Sequence, residues 1–266
     1  MRLAHGAHYS QRMSEEMPPK PCIAILQEPE RVAHAAARFL QTIAFNSLKK
    51  KPLFTMALAG GSTPLQMFRL LATDPRLSNF PWHHTHLFWV DERCVPFDDS
   101  NSNFGNTSTI LLEKVPIPGK NIHPMSCYEN PEQGSINYEK EIRSFFNLSG
   151  KELPSFDLIL LGVGKDGHTA SIFPESMALE EKKRLVLAVT GGEPQVTRIT
   201  LTLPVLNNAK QVLFMATGKE KAEIFAQIVA GGPCELPAAM VRPASKALFW
   251  MVDREAASIF LSKGAF

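Results

Sequence analysis

Leu158 to Val163 is apolar throughout, yet it is too short for an ordinary helix and opens directly into the polar segment GKDGHTASIFP. A strand-length run without polar alternation belongs in a sheet covered by helices on both faces. The pattern recurs. Residues 54–59 run into GGSTP, residues 87–90 into DERCVP, and residues 212–216 into TGKEKA. Strands are therefore expected near 22–26, 54–59, 86–90, 156–162, 185–189, 211–216 and 248–252, with helical patterns between most of them. After Pro29, for example, Val32, Ala36, Phe39, Leu40 and Ile43 recur at helical spacing, and a helix over 131–146 would turn Ile136, Ile142, Phe145 and Phe146 inward. This alternation predicts an open, mostly parallel, Rossmann-like α/β sheet with helices on both faces, a fold that holds ligands beyond its strand ends.

The polar groups at those strand ends each have two readings. Gly162, Gly164 and Gly167 make a tight turn that either leaves His168 an ordinary loop residue or delivers Asp166 and His168 together into a site. The dinucleotide fingerprint is absent, because His168, Thr169 and Ala170 occupy the positions where its last glycine would be sought. In GGSTP, Ser62 or Thr63 is either a plain N-cap or part of an anion-binding helix N-terminus, with Pro64 suited to the first turn. This is not a P-loop, since no lysine follows Gly61 until Lys114. Arg93 closes a charged triplet with Asp91 and Glu92, either a salt-bridged turn or a clamp whose planar fork suits phosphate. Lys219 and Lys221 open a helix, where lysines are usually solvated.

Composition excludes several classes. The 28 basic and 26 acidic residues leave a net charge of +2 and are dispersed, so no nucleic-acid partner is expected. Cys22, Cys94, Cys127 and Cys234 contain no CxxC pair, and reduced thiols in a cytoplasmic compartment are expected. No zinc-type spacing occurs, and no metal is expected. Residues 1–20 are polar and read as a flexible extension with neither a secretory signal nor a membrane span. Residues 21–266 are expected to form one α/β domain, as a monomer or weak homodimer.

Seven segments in order, AGGSTP (59–64), VDERCVP (90–96), SNF (102–104), LGVGKDGHTASIFP (161–174), RITLTL (198–203), GKEKA (218–222) and LFWMVD (248–253), resemble the 6-phosphogluconolactonase family of the pentose phosphate pathway. The resemblance covers about residues 22–260. It implies a fold shared with glucosamine-6-phosphate deaminases and ribose-5-phosphate isomerases. It also implies hydrolysis of 6-phospho-D-glucono-1,5-lactone to 6-phospho-D-gluconate, with a sugar-phosphate lactone as the only partner and no cofactor. His168 would be the general base that activates water, with Asp166 either orienting its ring or stabilising the imidazolium. Gly61, Ser62, Thr63, Arg93 and Lys221 would take the phosphate, with Arg198 as an additional contact. Lys221 is preferred over Lys219 because the family's lysine stands immediately before the position of Ala222.

The rivals fit less well. The deaminase family resembles this chain at DGH but continues toward Asn-Glu-Pro, where this chain has SIFP, and carries Asp-Glu-Tyr where this chain ends its triplet in Arg93. A sensor built on the same domain would be accompanied by a helix-turn-helix, and the residues before Cys22 are aperiodic. A serine route through Ser171 lacks the GxSxG elbow. Lys165 and the stretch 195–197 after a single Pro194 depart from the family pattern and are expected to tune the pocket rim.

Overall fold

A computed structural model describes residues 21–192, 195–230 and 235–264. The expectations for residues 1–20, Pro194 and Cys234 lie outside the described residues. Ten strands occur among those described: β1 (Cys22–Leu26), β2 (Phe54–Leu58), β3 (Thr85–Trp89), β4 (Asp91–Arg93), β5 (Ile122–His123), β6 (Leu158–Leu161), β7 (Val186–Gly191), β8 (Val196–Leu201), β9 (Val212–Ala216) and β10 (Leu248–Asp253). They alternate with α1 (Pro29–Leu48), α2 (Ser62–Thr73), α3 (Asn103–Ile110), α4 (Pro131–Phe145), α5 (Leu203–Asn207), α6 (Ala222–Val229) and α7 (Ser258–Ser262).

Seven strands form one sheet in the order β1-β10-β9-β6-β2-β3-β5, with every neighbouring pair parallel. Its middle strands β2, β6 and β9 are buried at every residue, which is why their sequences show no polar alternation. Helices cover both faces. Phe249 and Trp250 are successive residues of β10 and point to opposite sides; Phe39 of α1 lies 4.9 Å from Phe249, and Phe225 of α6 lies 5.4 Å from Trp250. Among the described residues no helix is long and apolar enough to cross a membrane.

The sheet order also locates the crevice. From β2 the chain proceeds to one side, through β3 and β5, and from β6 to the other, through β9 and β10, beside which the first strand β1 pairs at the edge. Connections leave β2 and β6 in opposite directions, so space opens beyond their carboxyl ends, and these are the ends that carry GGSTP and GKDGH.

Two expectations change. The strand expected at 185–189 is β7, but it lies outside the large sheet, in a separate antiparallel sheet of order β4-β8-β7. The handover occurs at Val90, whose N–H donates to Leu58 of β2 while its carbonyl accepts from Leu201 of β8, so the chain steps from one sheet to the other within one residue. The thiols expected to be reduced include a disulfide, Cys94–Cys127, with Cα atoms 4.9 Å apart. Thirty-three residues separate the two cysteines, but the end of β4 and the loop after β5 meet in space, a proximity no sequence spacing announces. Cys22 is free and exposed.

Candidate active site

The loop after β6 builds the first half of the site. Gly164 N–H donates to the carbonyl of His168 at 2.8 Å, Gly167 turns the chain at φ +83°, and Thr169 ties its hydroxyl to the Gly162 carbonyl at 2.8 Å. This closed turn presents His168 beside Asp166. The carboxylate Oδ1 lies 2.6 Å from His168 Nδ1 and also accepts the His168 backbone N–H at 3.1 Å. Burial alone would raise the Asp166 carboxyl, but the backbone amide and the imidazole of His168 hold it below the ordinary carboxylate range. An ionised carboxylate only accepts, so Nδ1 carries the ring proton and Nε2 is left as the acceptor. The carboxylate that reaches the ring is Asp166, which stands behind His168 while His168 itself lines the cleft. The ring packs on Phe173 at 4.9 Å, and Ala170 on the cleft wall takes φ 50°, a conformation costly outside glycine.

The second half is anion-seeking. Gly61 is the N-cap of α2 at φ 101°, and no side chain caps this helix, so its first amides are not consumed by Ser62 or Thr63. Thr63 instead pairs its hydroxyl with that of Thr217 at 3.0 Å, tying the loop after β2 to the loop after β9. The latter carries Lys221, half-buried in the cleft wall, while Lys219 is exposed. Burial depresses the Lys221 ammonium, with Lys165 adding to the effect and Glu220 and Asp166 opposing it.

Arg93 and Arg198 face the same cleft from the small sheet, as direct cross-strand partners on β4 and β8. Like charges placed opposite one another in a ladder repel. Burial, and then Arg93, depress the Arg198 guanidinium, with Asp91 opposing. Arg93 spends one N–H on the Asn101 carbonyl at 2.7 Å, and Arg198 lies 5.5 Å from the centre of the Phe173 ring. The Nε–H of each is buried without a partner among the described residues, an arrangement that suits a bound anion.

All eight expected site residues are thus present around one crevice: His168, Gly61, Ser62, Thr63, Arg93, Arg198 and Lys221 line it, and Asp166 sits directly behind. Ser171 is fully buried and donates its hydroxyl to Asp91 at 2.6 Å, so it faces no solvent as a nucleophile would. Two lining residues with polar side chains were missed, Asp91 and Asn103. Both stood in quoted motifs, DER and SNF, and the signal was that two separated motifs each carried an unassigned polar residue. Glu92 joins those motifs. Its carboxylate accepts from the amides of Arg93, Asn103 and Phe104 at 2.8, 2.7 and 2.7 Å and from the Ser102 hydroxyl at 3.1 Å, docking the N-terminus of α3 onto β4. Among the described residues no group of three or more His, Cys, Asp or Glu is placed to hold a metal.

Comparison with known proteins places the chain in a family. Residues 27–250 match the family described as glucosamine-6-phosphate isomerases/6-phosphogluconolactonase. A Synechocystis protein named 6-phosphogluconolactonase is 39% identical over 205 residues, which are 76% of this chain and 82% of that protein. The crystal structure of 6-phosphogluconolactonase from Thermotoga maritima superposes with a TM-score of 0.75 at 34% identity, over 88% of this chain and 100% of that one. A monomeric glucosamine-6-phosphate deaminase shares the fold, with a TM-score of 0.76 at 22% identity over 90% of this chain and 99% of that one. With the match over residues 27–250 and the 39% identical relative in accord, the chain belongs to the glucosamine-6-phosphate isomerase/6-phosphogluconolactonase family.

Proposed function

We propose that this chain is a 6-phosphogluconolactonase, which hydrolyses 6-phospho-D-glucono-1,5-lactone to 6-phospho-D-gluconate. The observation that carries the reading is an imidazole backed by a carboxylate in the same crevice as two arginines, a lysine and an uncapped helix N-terminus. A phosphate monoester near neutrality carries about −1.5 to −2 charges. Arg93, Arg198, Lys221 and the Gly61–Thr63 turn supply that many opposing charges and donors. The phosphate fixes the sugar, and the lactone carbonyl is left to His168.

In the chemical step Nε2 of His168 takes a proton from water as the water oxygen bonds to C1, and the carbonyl electrons move onto its oxygen. As the tetrahedral adduct collapses, the C1–ring oxygen bond breaks and the imidazolium returns its proton to that oxygen, giving the free hydroxyl and the carboxylic acid. Asp166 holds the ring in the required tautomer and stabilises its cationic form. Such assistance is worth about 10² to 10⁴-fold.

The reading extends to residues 21–266 acting as one domain, as a monomer or weak homodimer, in the cytoplasm. In that compartment the Cys94–Cys127 bridge would face a reducing environment. The test is hydrolysis of freshly made lactone, followed through a coupled 6-phosphogluconate dehydrogenase against the spontaneous rate. Acceleration that His168→Ala removes is expected. Undiminished turnover in that variant excludes His168 as the base, and no acceleration by the wild type excludes the function.

A further inference from the structure

Asp91 is the one acidic residue among the described residues lining a crevice that otherwise presents Arg93, Arg198, Lys221 and His168. A carboxylate is ill-suited to a phosphate subsite, and Asp91 acts on Arg198 only by its charge and through the Ser171 hydroxyl, with no direct arginine or lysine ion pair among the described residues. It lies two residues before Arg93 in β4, on the same face, so strand geometry turns it toward the same ligand. Its oxygens are only partly engaged. Oδ2 accepts from the Ser171 hydroxyl at 2.6 Å, and Oδ1 has a long contact of 3.3 Å with Asn103 Nδ2. An ionised carboxylate offers about four acceptor positions. Asp91 is only 5% exposed, so an unused acceptor there is costly unless the ligand fills it.

Asn103 is fixed in the same way. Its Nδ2 donates to the Asp91 backbone carbonyl at 2.9 Å, which leaves Oδ1 as a second acceptor, held against Gly60 so closely that no Cβ could stand there. Two buried acceptors side by side, in a crevice that also presents cationic groups and His168, are complementary to hydroxyl donors. The phosphosugar lactone has such donors only on the ring carbons that separate its phosphate from C1.

We infer that Asp91, with Asn103 beside it, is the specificity-determining residue that accepts a hydrogen bond from a ring hydroxyl of the lactone, with Ser171 as the positioning residue that fixes the Asp91 carboxylate. This rests on the lactonase reading above. A site built to bond a hydroxyl rejects the analogue that lacks it, because its own polar groups are left unpaired.

The experiment compares wild type and Asp91→Asn on 6-phosphogluconolactone and on its 2-, 3- and 4-deoxy analogues, each corrected for spontaneous hydrolysis. Asp91→Asn is expected to lower kcat/KM on the full lactone by about 10- to 100-fold, the range for losing a hydrogen bond to a charged group. On the one analogue lacking the partnered hydroxyl, the two proteins are expected to agree within about twofold, as in a mutant cycle. Equal fractional losses on all four lactones would overturn the inference and assign Asp91 a purely structural or electrostatic role. Ser171→Ala retains the carboxylate and guards against misfolding of the first variant; it is expected to show a weaker form of the same selectivity, and uniform losses there count against the inference as well. Failure of the wild type to accelerate the full lactone would instead strike the parent reading.

Discussion

Gly164→Ala is the sharpest test of the His168–Asp166 pair, because it changes neither residue. Gly164 does not require a positive φ, so alanine meets no backbone strain there, but its Cβ would stand 2.5 Å from Asp166 Oδ1 and closer still to Nδ1 and Cε1 of His168. Carbon packs at about 3.5 to 4.0 Å, so the ring and carboxylate must each retreat by about 1 Å or more. Both have somewhere to go, since the His168 side chain is 30% and that of Asp166 51% exposed. The folding cost should therefore be about 1 kcal/mol, and the melting temperature should fall by about 2 to 4 °C. The catalytic cost is larger, because a displacement of about 1 Å at the reacting geometry costs about 10²-fold. The coupled lactone assay should show kcat reduced by about 10²-fold with KM changed little, since Arg93, Arg198 and Lys221 are untouched. A kcat within about twofold of wild type, in a protein with the expected melting temperature, would refute the assignment of rate to this pair.

Two further predictions concern stability. Burial raises the Glu92 carboxyl to about 7, against the pull of the Phe104, Asn103 and Arg93 amides and with the Asp91 charge adding to the rise. The unfolded chain releases that proton near the ordinary glutamate value of about 4.3, so between there and about 7 the native state binds more protons; stability should fall as pH rises through this window, by up to about 3 kcal/mol, and level off above it. Urea unfolding at several pH values checks this, and Glu92→Gln should flatten the slope; an unaltered slope in the variant would assign it to other groups. The Cys94–Cys127 bridge closes a loop across 33 residues, which corresponds to about 3 to 4 kcal/mol of unfolded-chain entropy. Melting with and without dithiothreitol should differ by about 10 °C, and Cys94→Ser should be insensitive to the reductant.

Most of the large sheet was legible because its strands are short, largely continuous apolar runs: β1 matches its expected span of 22–26, and β9 and β10 match theirs to within one residue. The small sheet was not. Asp91, Glu92 and Arg93 read as the polar end of β3, because three charges in succession carry no apolar period, and what makes them a strand is the ladder to β8 together with the four donors that gather on Glu92. In α4 the inward residue after Gly134 and Ser135 is Tyr138 rather than the expected Ile136, since the Tyr138 hydroxyl takes the Trp89 backbone N–H at 2.9 Å, a long-range bond without a local signature. The candidate site residues were legible one motif at a time. What sequence withheld was their contacts: Asp166 on the ring, Ser171 turned inward to Asp91, and the pairing of Arg93 with Arg198.

That pairing divides the crevice into a part that can be edited and a part that cannot. Arg93 and Arg198 are partners in a ladder of period two, so inserting or deleting one residue in β8 would swing Arg198 to the far face and set Arg93 opposite Thr197 or Ile199. The His168 side hangs on a glycine turn beyond the end of β6, outside any ladder, where residues 164–168 can lengthen or reorder while Ser171 stays anchored to Asp91 and Thr200 of the small sheet. A lineage exploring new chemistry on this scaffold would therefore keep its phosphate handle while the reactive loop drifts, and loss of the handle would come by substitution of either arginine rather than by slippage of the frame.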